Sequence, residues 1–69
     1  MPAPSLQQRI DAATDALTDY QFHRMEASDD LEESITDLVT DLLHLADSEG
    51  LDLAAILKMA EFHYTAETP

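Results

Sequence analysis

Acidic side chains recur along one segment of the chain at the spacing of a helix face. They are Asp30, Glu33, Asp37, Asp41 and Asp47, separated by three, four or six residues, and we call these five residues the acidic row. On an α-helix the neighbouring carboxylates would lie about 5 Å apart along the axis, whereas phosphates follow each other every ~3.4 Å along one DNA strand. Because Arg binds carboxylate and phosphate with the same forked geometry, the row is predicted to bind a basic protein surface.

A histidine inside this segment raises the question of a metal site. His44 lies three residues from both Asp41 and Asp47, and Asp37 lies two turns before it. Oxygen-rich ligand sets of this kind suit Mg²⁺ or Mn²⁺, so the candidate metal ligands are Asp37, Asp41 and His44. One helix face rarely closes a coordination sphere, and the residues alone therefore predict no metal, no cofactor and no catalytic group.

The charge of the whole chain supports a partner of opposite sign. Fifteen Asp and Glu stand against three Lys and Arg, a formal net charge of −12 on 69 residues. Such a surface repels nucleic acid and anionic membranes and attracts basic proteins, above all those that bind nucleic acid. A second series of carboxylates, Asp11, Asp15 and Asp19, follows the first predicted helix. An acidic face that serves only solubility remains an open interpretation.

Composition indicates a small protein of the cytoplasm. The chain has no Cys, which excludes disulfides and is unlike small secreted scaffolds. It has no apolar run of the ~20 residues that a membrane span needs, and its first residues lack the basic and apolar regions of a signal peptide. We expect one domain over residues 1–69, with residues 1–4 and 66–69 frayed.

Three helices are predicted, at about residues 5–25, 29–49 and 53–66. Ser5 and Gln8 form a capping box for the first helix, Ser28 is the expected N-cap of the second and Asp52 that of the third. Gly50 is placed to end the second helix in the left-handed conformation. The apolar stripe of the second helix consists of Leu31, Ile35, Leu38, Val39, Leu42, Leu45 and Ala46.

These elements predict an all-α fold, a small three-helix bundle with a tight hairpin between the second and third helices. The third helix has one apolar stripe formed by Leu53, Ile56, Leu57, Ala60 and Tyr64. Its neighbouring face is partly apolar as well and carries Ala55, Met59, Phe62 and His63. Because this is more apolar surface than two helices of such size would cover, a homodimer is predicted.

Residues 37–53 read DLVTDLLHLADSEGLDL, an apolar run followed by a Gly-apolar-Asp-apolar turn. The segment resembles the last helical hairpin of the all-α nucleotide pyrophosphohydrolases of the MazG kind, in which an E-x-x-D pair precedes such a turn. The resemblance implies that Asp37 takes the place of the metal-binding Asp, while Ser34 stands where that pair has its Glu. Residues 38–67 also resemble small acidic proteins of phages and plasmids, which implies an origin on a mobile element.

The leading functional hypothesis is a non-enzymatic acidic protein that binds a basic, nucleic-acid-binding surface on another protein, as the DNA-mimic inhibitors of phages do with host defence proteins. The resemblance leaves a second hypothesis, a minimal or degenerate Mg²⁺-dependent nucleotide pyrophosphohydrolase completed by dimerisation. A third is an antitoxin-like or scaffold protein without mimicry.

Overall fold

The computed structural model describes residues 5–25 and 30–67. These residues form three α-helices, α1 (Leu6–Arg24), α2 (Leu31–Ser48) and α3 (Leu53–Glu67), and contain no strand. The predicted all-α class with three helices is confirmed. None of the described helices is both long and apolar enough to cross a membrane. Residues 1–4, where fraying was predicted, lie outside the described residues, and α3 continues through Glu67.

Helix α1 begins with the predicted capping box. The Ser5 hydroxyl accepts a hydrogen bond from the Gln8 amide at 3.1 Å, and the Gln8 side chain accepts one from the Ser5 amide at 2.8 Å, so two otherwise unpaired N–H groups are satisfied. The helix ends at Met25, which adopts a left-handed conformation with φ 55°. A Met in that conformation is uncommon, and no residue pattern indicated it.

Helix α2 begins later than predicted. Its first helical residue is Leu31, and the side chain of Asp30 accepts a hydrogen bond from the amide of Glu33 at 3.2 Å. This is the bond of an N-cap residue to the third position of a helix, so Asp30 caps α2. The predicted cap, Ser28, lies outside the described residues.

The connection between α2 and α3 is the tight turn that was predicted. Gly50 has φ 70°. Its amide donates a hydrogen bond to the Asp47 carbonyl at 3.0 Å, and the Leu51 amide donates one to the Ala46 carbonyl at 2.9 Å. This pair of bonds defines the Schellman motif. The Asp52 carboxylate then accepts from the Ala55 amide at 3.0 Å, which confirms Asp52 as the cap of α3.

Substitution of Gly50 tests this turn. We expect Gly50→Ala to lower the free energy of unfolding by about 1 kcal/mol, because a Cβ disfavours the left-handed conformation even where it meets open space. Gly50→Asn should cost less, since Asn adopts that conformation more readily. Urea denaturation followed by circular dichroism measures both variants. Equal stability of Gly50→Ala and the natural chain would show that the turn is not constrained in this way.

The chain divides into two compact units, and the boundary falls after Val39, inside α2. In the first unit α1 packs against the start of α2, where Leu17 is buried (9% exposed) and so is Ser34 (3% exposed). The Gln21 amide group donates to the Ser34 hydroxyl at 2.9 Å, so this buried polar atom is satisfied. In the second unit Ala46 is buried, and Leu43 and Leu53 are half-buried.

Most of the apolar stripe of α2 is exposed in the single chain. Leu42 is 53% exposed and Leu45 is also exposed, so neither is a core residue there. Leu42 is exposed because a different side of α2 is covered in this unit. Within the second unit the covered positions are Leu43 and Ala46 rather than Leu42. A large apolar surface therefore remains open to solvent.

Candidate partner-binding face

The five residues of the acidic row do not share one environment. Glu33, Asp41 and Asp47 are exposed on α2, and Asp30 is exposed directly before it, whereas Asp37 is half-buried. Glu33, Asp37 and Asp41 follow one another at four-residue intervals and lie on the same side of the helix, whereas Asp47 comes six residues after Asp41, about 120° away around the helix axis. Asp37 is therefore less accessible to a partner than the other four residues of the row.

Asp37 lies one helical turn after a residue that is bonded to α1. Ser34 precedes Asp37 by one helical turn and is buried, with its hydroxyl bonded to Gln21 of α1. The covered side of α2 in this unit therefore borders the acidic row. Asp30 also has a local role, because its carboxylate caps the helix. The other exposed carboxylates of the row are those of Glu33, Asp41 and Asp47.

The carboxylates of α1 are exposed as well, and two of them have local partners. Asp11 accepts a hydrogen bond from the Gln7 side chain at 3.0 Å, and Asp19 lies 3.6 Å from the ring nitrogen Nε2 of His23. Neighbours at four-residue spacing of this kind stabilise an isolated helix by a few tenths of a kcal/mol. The series on α1 thus offers a comparison surface that is also negatively charged and similarly exposed.

The candidate metal ligands do not come together in a ligand cluster within a single chain. Among residues 5–25 and 30–67, no group of three or more His, Asp and Glu side chains is arranged so that it could hold a metal ion. Asp37, Asp41 and His44 share a helix face by their spacing, but Asp37 is half-buried while Asp41 and His44 are exposed. A magnesium site that uses Asp37 would need further ligands.

Magnesium can be tested directly. At constant ionic strength we expect millimolar Mg²⁺ to leave the Tm unchanged, because a ligand raises Tm only when it binds the folded state preferentially. The constant ionic strength matters, since any added salt screens repulsion in a chain of this charge. A rise in Tm that Asp37→Ala abolishes, together with pyrophosphate release from nucleotides, would instead support the pyrophosphohydrolase hypothesis.

Among the described residues, two apolar grooves lie outside the acidic row. A groove of about 350 Å³ in the first unit is lined by Ile10, Ala13, Thr14, Leu17, Leu31, Ile35 and Leu38. A second groove of about 360 Å³ has lining residues that all belong to α3, namely Ala55, Lys58, Met59 and Phe62. The partly apolar second face predicted for the third helix is the signal that anticipated this second groove.

Comparisons with protein-family models, with curated proteins and with solved structures find no match.

Proposed function

We propose that this chain is a non-enzymatic binding protein whose acidic row occupies a basic, nucleic-acid-binding surface on another protein. The observation that carries the proposal is the exposure of the carboxylates of Glu33, Asp41 and Asp47 along α2. Their side chains stand in for phosphates and pair with Lys and Arg of the partner. The proposed place of action is the cytoplasm.

The charge balance supports a partner from outside the chain. Even if each of the three Lys and Arg neutralised one carboxylate, twelve of the fifteen would remain without a cation of their own. Like charges one helical turn apart destabilise a helix by a few tenths of a kcal/mol per pair. A basic partner relieves that repulsion on binding, and the long-range field of the chain speeds the encounter.

The environments along the row indicate which carboxylates meet the partner. Asp41 and Asp47 are exposed, whereas Asp37 is half-buried and Asp30 already caps the helix. We therefore place the strongest contacts at Asp41 and Asp47, with Glu33 extending the face towards the start of α2. In this role the chain would act as DNA-mimic inhibitors of phages act on host defence proteins, by excluding nucleic acid from its binding surface.

The experiment is capture followed by competition. Proteins are recovered from a bacterial cell lysate on the immobilised chain at low salt, purified, and incubated with a labelled DNA or RNA duplex. We expect the added chain to displace the duplex from the captured protein. If the captured proteins hold the duplex and the chain at the same time, the acidic row does not occupy a nucleic-acid surface. If nothing basic is captured, the row serves solubility alone.

A further inference from the structure

The second apolar face of α3 has the spacing of a helix-pairing seam. Ala55, Met59, Phe62 and Ala66 follow one another at intervals of four, three and four residues, and all four are exposed. Met59 is 54% exposed and Phe62 is 65% exposed. Intervals of four and three are those of the a and d positions of a coiled coil, which insert into holes formed by four residues of the facing helix. The groove on α3 is such a hole.

The seam is self-complementary when two copies run in opposite directions. Its side chains read small, large, large, small, so the order is the same from either end. In an antiparallel pair each Ala55 would lie level with Ala66 of the second copy, and each Met59 with Phe62. Large side chains then meet at the centre, where a thioether against an aromatic ring is a favourable contact. A twofold pair uses the same patch on both copies.

The distribution of charge around the seam favours a second copy over a basic partner. The positions that flank the seam are Ile56, Lys58, His63 and Thr65, and none is acidic. The two carboxylates of α3, at Glu61 and Glu67, lie further round the helix. In a chain with a net charge of −12, this face is one along which a second copy can approach without placing carboxylate against carboxylate.

Lys58 adds a specific complementary contact. Lys58 makes no ion pair with the described residues of its own chain. In the antiparallel register it would lie on the same flank as Glu61 of the second copy, about 3 Å away along the axis. The contact occurs twice across the twofold axis.

We propose that α3 forms an antiparallel homodimer through this seam of Ala55, Met59, Phe62 and Ala66. The proposal is independent of the function of the acidic row, which lies on and before α2. Two helices of 15 residues bury less than the about 1,600 Å² of a standard interface. We therefore expect a dimer that dissociates at micromolar concentration.

The two Phe residues of the chain supply a matched test. Phe62 and Phe22 are both exposed, at 65% and 78%, and each ring packs edge-on against the following His with centroids 6.0 Å apart. Phe62→Glu places a carboxylate at the centre of the seam, and we expect it to raise the dimer dissociation constant at least about tenfold. Phe22→Glu carries the same change in charge and should leave that constant within about twofold.

Sedimentation equilibrium measures the dissociation constants, and circular dichroism verifies that both variants keep their helix content. A natural chain that remains monomeric at the highest soluble concentration would overturn the proposal. The proposal would also be overturned if both substitutions weakened the dimer equally. It would be overturned as well if Phe62→Glu left the dimer as strong as before while the helices remained intact.

Cysteine cross-linking tests the direction of the pair without relying on a destabilising variant. Because the chain has no native Cys, Ala55→Cys can be compared with the double variant Ala55→Cys/Ala66→Cys under diamide. Positions 55 and 66 lie about 16 Å apart along one helix. That distance is too long for a disulfide within one copy, and equally for one that joins position 55 of each copy in an antiparallel pair. We expect a covalent dimer from the double variant only. A covalent dimer from Ala55→Cys alone would contradict the antiparallel arrangement.

Discussion

Leu17→Ala should lower the free energy of unfolding by about 2–3 kcal/mol, the largest stability loss we expect from one truncation. Leu17 is buried between α1 and α2 at 9% exposure, and truncation of a buried Leu costs about 2–5 kcal/mol. The lower part of that range applies because Leu17 also lines the open groove of the first unit. A chain of 69 residues has a total stability of roughly 3–10 kcal/mol, so the variant should lose between about a fifth and nearly all of it.

Leu42→Ala is the matched control for this truncation. Leu42 is 53% exposed, so removing its side chain gives up about half the free energy of a fully buried Leu, on the order of 1 kcal/mol. Urea denaturation at one protein concentration compares the two variants. If Leu42→Ala costs as much as Leu17→Ala, the apolar stripe of α2 is buried in an assembly, and the environment described for the single chain is not the one in solution.

Reversing Asp41 and Asp47 to Lys should weaken binding to the basic partner about tenfold or more. Two attractive pairs are lost and two repulsive ones replace them, each worth about 0.2–1 kcal/mol at an exposed site, and 1.4 kcal/mol corresponds to tenfold in affinity. Both positions are exposed on α2, so the helix should remain intact. Asp37 is left unchanged because a Lys at a half-buried position beside α1 could disturb packing.

The control reverses Asp11 and Asp15 on α1. Each Asp→Lys change adds two units of charge, so both double variants go from −12 to −8 and differ only in where the charge is placed. We expect the α1 variant to bind within about threefold of the natural chain, measured by fluorescence anisotropy of the labelled protein. Equal weakening by both variants would mean that net charge, and not the acidic row, determines binding.

The features that the sequence predicted correctly are those that depend on neighbours along the chain. The capping box of Ser5 and Gln8, the left-handed Gly50 and the cap at Asp52 all act through residues within four positions. Such local hydrogen bonds define where helices begin and end. The residue types and their spacing were therefore sufficient to place the three helices within about two residues at their boundaries.

The features that the sequence did not predict depend on contacts between helices. Ser34 lies among carboxylates in sequence, yet it is buried because Gln21 of another helix, 13 residues away, bonds to its hydroxyl. Asp37, one helical turn after Ser34, is half-buried, which its position among carboxylates did not indicate. Periodicity indicates which side of a helix can be buried, but not which neighbour covers it, and the exposed Leu42 shows the difference. For the candidate site, spacing could not indicate that Asp37 is half-buried while the other four carboxylates of the row are exposed.

The central claim is that exposed carboxylates of the acidic row replace phosphates on a basic partner, and a salt titration of duplex displacement tests it most directly. The Debye length, over which exposed charges interact, falls from about 10 Å at 0.1 M to about 3 Å at 1 M ionic strength. The account predicts that the chain displaces a labelled duplex at low salt, that its own affinity for the partner falls steeply as salt rises, and that the Asp41/Asp47 reversal flattens this dependence. A partner bound as tightly at about 1 M salt as at 0.1 M, or one that keeps its duplex while the chain is bound, would contradict it.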